Sequence, residues 1–239
     1  MALYTKTVET TFANLATTLT GLTENSNILI TDVANVKFGT TDSSGTLGYI
    51  IANNGSYLID LSPTDFSSLT VADMTSAFYG CTHLAAIGNL PTGVTNGYRM
   101  FSSCTSLTTI PSSFGSTWTA MTNGSQMFQN CKALTTIPSD FGSKWTALTD
   151  GSEMFCGCTS LKTAYFLAPS CTTTASMFDT CTALESITLT PTAYTALING
   201  TSDYGLTSAQ LANAKLYSES PTVLVIKTNK GLSKYFFAV

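Results

Sequence analysis

Residues 100–126, MFSSCTSLTTIPSSFGSTWTAMTNGSQ, are followed directly by MFQNCKALTTIPSDFGSKWTALTDGSE, residues 127–153. This near duplication constrains the fold more than any other feature. A unit so short cannot enclose its own apolar residues, so successive copies must bury them against each other by stacking. Eighteen of the 27 positions are identical and nine differ. The differing positions include Ser102/Gln129, Ser103/Asn130, Thr105/Lys132, Ser113/Asp140, Thr117/Lys144, Asn123/Asp150 and Gln126/Glu153, polar exchanges that suit a solvated face. Met121/Leu148 nearly conserves volume, which buried sites tolerate best, and points inward. The identical apolar residues Phe101/Phe128, Cys104/Cys131, Leu107/Leu134, Ile110/Ile137, Phe114/Phe141 and Trp118/Trp145 form the expected core stack.

The unit recurs more loosely on both sides. Aligned on the aromatic and the cysteine, copies begin at Ala77, Met100, Met127, Met154 and Met177, giving steps of 23, 27, 27 and 23 residues. A period in the twenties with Leu or Ile at spacings of three lies in the leucine-rich-repeat range. The expected fold class is therefore an α/β leucine-rich-repeat solenoid of about five 23/27-residue repeats. A short strand around Ile110, Ile137 and Ile187 is expected to build a parallel sheet with strands about 4.8 Å apart, and the MF segment to form a helical turn on the other side. The 23-residue units lack four residues of connecting loop, a change that loops absorb.

The pattern F-x-x-C-x-x-L-x-x-I-P at Phe101–Pro111 and Phe128–Pro138 resembles the BspA-like leucine-rich repeat of bacterial and protist surface proteins. The similarity extends to YLIDLSPTDFSSLTVADMTSAFYGC, residues 57–81, and covers roughly residues 57–190. It implies extracellular adhesion or protein binding and carries no catalytic residues. Ala164 departs from the pattern, standing where Ile is expected.

Residues 1–72 are expected to form an N-terminal cap, residues 73–199 the solenoid and residues 200–239 a C-terminal cap, since a stack of repeats must shield its open layers. Val8, Phe12, Leu15, Leu19 and Leu22 follow helical spacing with Gly21 near the end. NILITDV is expected as a strand, GTLGYIIANNG as a helix closing at Gly55, and SYLIDL as a second strand. SAQLANAKLYS is expected to be helical and PTVLVIKT a strand. The apolar terminus KYFFAV either packs on the cap or meets a partner, which marks Tyr235, Phe236 and Phe237 as a candidate assembly end.

Only 10% of residues are charged, whereas Thr and Ser occupy 70 positions, so the surface is hydroxyl rather than ionic. With ten Lys plus Arg and a net charge of −4, the chain is a poor electrostatic match for nucleic acid. Residues 1–72 hold six acids and two lysines, and residues 201–239 two acids and four lysines, so the two ends carry opposite local charge. No apolar run reaches membrane-span length, and MALYTKTVETTFANL has no hydrophobic segment before a cleavage site. The chain as given is expected to be soluble and leaderless, without membrane insertion.

Five of the seven cysteines, Cys81, Cys104, Cys131, Cys158 and Cys181, recur once per repeat, unlike the close pairs of zinc sites, and read as small buried residues. Cys156 and Cys171 fall outside the register and are either bridged to each other or free. His83, the single histidine, occupies an ordinary repeat position with no nucleophile or second base beside it. No cofactor, metal or catalytic residue is expected, and the chain is read as non-enzymatic.

The residues flanking the repeat isoleucine define the candidate site. Ala86, Thr109, Thr136, Thr163 and Ser186 make one column, and Gly88, Pro111, Pro138, Tyr165 and Thr188 the next. Thr109, Pro111, Thr136, Pro138, Thr163, Tyr165, Ser186 and Thr188 are expected to form a docking face for a protein or glycan. The leading functional expectation is a recognition or adhesion protein, extracellular or at the cell surface. The alternative is a structural subunit that stacks end to end into a fibre, as in a virion or secreted tail-fibre tip, with the chain itself as partner.

Overall fold

The computed structural model describes residues 3–40, 42–200, 204–216, 225–227 and 233–235. Strands β1 (Thr7–Thr10), β2 (Ser26–Ile30), β3 (Ile59–Leu61) and β4 (Leu84–Ile87) form a four-stranded parallel sheet in chain order. Two short helices, α1 (Leu15–Thr20) and α2 (Leu47–Asn53), lie in the connections between its first three strands. Strands β5 (Thr163–Phe166), β6 (Ser186–Leu189) and β7 (Ala214–Leu216) make a second parallel sheet. Helices α3 (Pro191–Ile198) and α4 (Ser208–Ala212) lie between β6 and β7. Strands β8 (Val225–Lys227) and β9 (Ser233–Tyr235) pair with each other in antiparallel fashion. The result is a solenoid-like α/β repeat with short parallel strands.

Several sequence expectations need correction. The two 27-residue repeats contribute no strand at Ile110 or Ile137. In both, proline follows the isoleucine, and a residue without an N–H cannot continue a ladder. Contact between layers survives there as Thr108 N–H donating to Ala85 O (3.0 Å), Lys162 N–H to Thr135 O (3.0 Å) and one bridge between Thr136 and Thr163. Val8 lies in β1 rather than a helix, because the apolar spacing of residues 8–22 spans a strand, a short 3-10 turn at Phe12–Asn14 and α1. The segment SAQLANAKLYS is helical only to Ala212 and then becomes β7, which continues the parallel sheet beside β6. Helix α3, unforeseen, starts at a Thr190 cap whose hydroxyl accepts from Ala193 N–H (3.2 Å), with Pro191 in the first turn. Of the expected strand PTVLVIKT, residues 225–227 are strand and the remainder lies outside the described residues.

The MF segments are not helical turns. Within residues 97–104, every second amide bonds within its own coil: Met100 N–H to Gly97 O, Ser102 to Arg99 O and Cys104 to Phe101 O, all at 3.0–3.1 Å. The alternate amides reach the next coil: Gly97 N–H donates to Asn123 O, Arg99 to Ser125 O, Phe101 to Met127 O and Ser103 to Gln129 O, at 2.7–3.1 Å. Left-handed residues make this alternation, among them Arg99 (φ 54°), Ser103 (φ 64°), Gln126 (φ 56°) and Asn130 (φ 59°). A left-handed non-glycine residue costs about 1–2 kcal/mol. The inter-coil bonds it allows satisfy backbone groups that would otherwise be buried without partners. The two repeats that lack a strand are held together on this side.

The core is the expected one. Phe78, Phe101, Phe128, Phe155 and Phe178 stack with centroid spacings of 4.9, 5.4, 5.5 and 5.5 Å and planes within 6° of parallel. Phe114 stacks on Phe141 and Trp118 on Trp145. Both indoles are buried and donate to the preceding coil, Trp118 Nε1 to Pro91 O (2.8 Å) and Trp145 Nε1 to Gly115 O (2.9 Å). Met121 and Leu148 are fully buried, and Ala164 fills the departed isoleucine position without exposure.

Candidate functional site

Thr109 and Thr136 are exposed, and Thr163, Ser186, Pro111, Pro138, Tyr165 and Thr188 are partly exposed. Sheet register places Thr163 beside Ser186 and Tyr165 beside Thr188, with Ser186 Oγ 3.5 Å from Thr163 Oγ1. The second column continues past Thr188 to exposed Lys215, which the sequence reading did not include. Ala86 and Gly88 do not belong to the open face. Both are buried, and a methyl on Gly88 would collide with the carbonyl oxygen of Thr64 in the loop after β3.

At this end the same column carries residues that sequence reasoning passed over. Register pairs Thr7 with Asn27, Asn27 with Asp60 and Asp60 with Ala86. Asn27 and Asp60 are buried beneath the chain's own N-terminal segment. Leu3 N–H donates to Asp60 Oδ2 (2.5 Å) and Tyr4 N–H to Asn27 Oδ1 (3.0 Å), while Asn27 Nδ2 donates back to Tyr4 O. One side-chain amide thus satisfies both backbone groups of Tyr4, as a neighbouring strand would. Asp60 Oδ1 also accepts from Ser62 N–H (2.6 Å). Burial, followed by the charge of Asp60, raises the Tyr4 phenol above its ordinary value. Aligning YLIDL with HLAAI puts Asp60 in the Ala86 column, the signal that identifies this carboxylate from sequence.

On the opposite side a chain of polar side chains links the layers. Arg99 Nε donates to Gln126 Oε1 (2.6 Å), and Gln126 Nε2 and Gln129 Nε2 both donate to Glu153 Oε2 (3.0 and 2.7 Å). These contacts tie adjacent coils to one another, and three of the four residues stand at positions that differ between the two long repeats.

The repeat cysteines are buried and do more than fill space. Cys104 Sγ donates to Phe78 O (3.0 Å), Cys131 to Phe101 O, Cys158 to Phe128 O and Cys181 to Phe155 O (each 3.1 Å). Each thiol therefore bonds the backbone of the preceding coil as a weak donor. Cys156 and Cys171 are also free thiols. Burial raises every one of these thiols, pushing Cys171 and Cys181 up to about 12. Only the thiolate alkylates, so at pH 8.5 Cys171 presents a reactive fraction roughly a thousandfold below that of a thiol at its ordinary value. Iodoacetamide followed by peptide mass spectrometry is expected to modify Cys156 first and to leave the five repeat cysteines unmodified until denaturant is added. Rapid labelling of Cys131 in the native protein would contradict this packing.

His83 is partly exposed, its Nδ1 3.5 Å from the Thr82 hydroxyl, and its carbonyl accepts from Ile59 N–H. Among the described residues no three His, Cys, Asp or Glu side chains converge as metal ligands, and no helix is long and apolar enough to cross a membrane. Of the proposed assembly end, Phe236 and Phe237 lie outside the described residues and Tyr235 is described only as part of strand β9.

The family described as BspA type Leucine rich repeat region matches residues 74–200 in six copies, against the five marked by the aromatic–cysteine motif. No curated protein and no solved structure matches the chain. The stacked phenylalanines, the cysteine in each layer and a family match over more than half of the 239 residues agree: the chain belongs to the BspA-type leucine-rich-repeat family, a group associated with binding at surfaces.

Proposed function

We propose that this is a non-enzymatic recognition or adhesion protein of the cell surface. Its face along Thr109, Thr136, Thr163 and Ser186, with Pro111, Pro138, Tyr165 and Thr188 alongside, takes an extended segment of a partner protein. The observation that carries this reading is the occupied start of the same column, where Asn27 and Asp60 hold the backbone of Leu3 and Tyr4. Beyond it the hydroxyls of Thr109 and Thr136 are exposed and available. Short hydroxyl side chains permit close approach of a backbone and offer both donors and acceptors. Tyr165 adds an aromatic contact of the kind that anchors interfaces. In this reading residues 1–72 and 200–239 cap a repeat solenoid, so that recognition falls on the face between them.

Peptide and glycan arrays probed with the labelled protein test the proposal. Extended peptides are expected to bind, and the double variant Thr136→Glu/Tyr165→Glu to lose at least tenfold in affinity, since a desolvated unpaired charge costs more than about 1.4 kcal/mol. Its melting temperature should be unchanged, because neither side chain is buried. Binding unaffected by the two substitutions removes the face from consideration. Hits confined to glycans would replace the peptide with a sugar ligand.

A further inference from the structure

Among the described residues, β1 pairs only with β2 and β7 only with β6, so each has one edge unpaired by any described strand. The hydrogen-bond parity of these edges is complementary. Asn27 N–H donates to Lys6 O and Thr31 N–H to Thr10 O, which turns Lys6, Val8 and Thr10 toward β2 and leaves Thr7 and Glu9 facing outward. In a parallel ladder, residues paired in register face the same way. Ser186 N–H donates toward β5, to Lys162 O (3.2 Å), so Ser186 and Thr188 face β5 while Ile187 and Leu189 face β7. Their partners Ala214 and Leu216 therefore face away from β6, toward the open edge.

The side chains match as well. Glu9 lies in the column of Leu29, two residues beyond the Asn27–Asp60–Ala86 column, and Lys215 lies in the same column at the other end, beside Thr188. Both are exposed. Lys6, the other charge near β1, is already paired with Glu24 at 3.3 Å. Val8 and Leu22 line an open depression of ≈ 380 Å³ at the β1 end, and Leu211, 41% exposed, precedes β7.

We infer that β7 of one copy pairs in parallel with β1 of a second copy, setting Lys215 opposite the second copy's Glu9, so that the chain assembles head to tail. Ala214 and Leu216 would exchange backbone bonds with Glu9 and Thr7, covering both open edges with one contact. Such a contact uses two different surfaces, and where the rotation between copies does not close a ring it propagates into a linear fibre. Exposed parallel edges otherwise invite indiscriminate pairing. Here the opposite charges fix the register, because a shift by two residues places Lys215 against Thr7.

Sedimentation velocity over micromolar to millimolar concentrations, with negative-stain electron microscopy, is expected to show mass rising with concentration and single-file filaments. Glu9→Lys and Lys215→Glu should each raise the concentration needed for assembly about tenfold, by replacing an opposite-charge pair with a like-charge pair. The combined charge swap should return it close to the wild-type value. Glu9→Pro, which removes the outward N–H that would donate to Ala214 O, should block assembly while circular dichroism shows the fold retained. A full chain that stays monomeric at every concentration overturns the inference and leaves the β1 edge to a different protein or segment. Filaments indifferent to both charge reversals and to Glu9→Pro overturn it equally.

Discussion

Phe128→Ala is expected to destabilise the protein by about 3–5 kcal/mol, the range for deleting a fully buried aromatic ring. Phe128 is 1% exposed and lies between Phe101 and Phe155 at 5.4 and 5.5 Å, with Phe114 and Phe141 at 5.4 and 6.2 Å. The layers above and below are tied by backbone bonds such as Phe128 N–H to Met154 O (2.8 Å), so they cannot close over the cavity. For a chain of this length each kcal/mol lowers the melting temperature by roughly 2–4 °C, so a fall of about 10 °C is expected by circular dichroism. Phe178→Ala, which removes a ring stacked on Phe155 at one end of the column, should cost visibly less. Equal losses at the two positions would mean that stability is not carried by the stack.

The second large effect separates two residues that the sequence presents as equivalents. Gly115 and Gly142 occupy the same place in the two long repeats, and both are left-handed, with φ of 66° and 80°. Alanine at either position pays about 1–2 kcal/mol for that conformation. At Gly115 the added methyl would also collide with the indole of Trp145, which is buried and bonded to the Gly115 carbonyl. At Gly142 the nearest group is Ala168 N, at 3.1 Å. Gly115→Ala should therefore lose about 3 kcal/mol or more and disturb tryptophan fluorescence, while Gly142→Ala loses the backbone term and a smaller cost for the tight contact with Ala168 N. The asymmetry arises because Trp145 of the second long repeat lies over Gly115 of the first, whereas the shorter unit that follows Gly142 has no tryptophan. Matching losses in chemical denaturation would refute it.

Much of the core was legible because duplication exposes constraint. Residues kept between copies at Phe101/Phe128, Trp118/Trp145 and Ile110/Ile137 are all buried, and the volume-conserving Met121/Leu148 exchange is buried too. Less of the backbone could be read. Nothing in R-M-F-S-S-C announces two left-handed residues, since neither Arg99 nor Ser103 is glycine or asparagine. The conformation is imposed by amides that must find acceptors in the next coil. The candidate face was legible as two columns, but its boundary was not. Ala86 and Gly88 align with open positions in sequence, yet both are buried, Gly88 against the loop after β3.

The polar exchanges that looked like neutral variation also gained a meaning from the fold. Gln126 and Glu153 are one position in consecutive copies, and the first donates to the second at 3.0 Å. A carboxylate in both copies would set like charges one layer apart. The sequence by itself determined which residues stack, because a repeated unit with one shared core leaves the buried positions little freedom. Only the tertiary structure decided how the layers are fastened, which parts of the face stay open and which strand edges face outward. Those depend on where each N–H and C=O finds its partner, and between the coils of the repeat that partner lies 21 to 28 residues away, outside the reach of any local pattern.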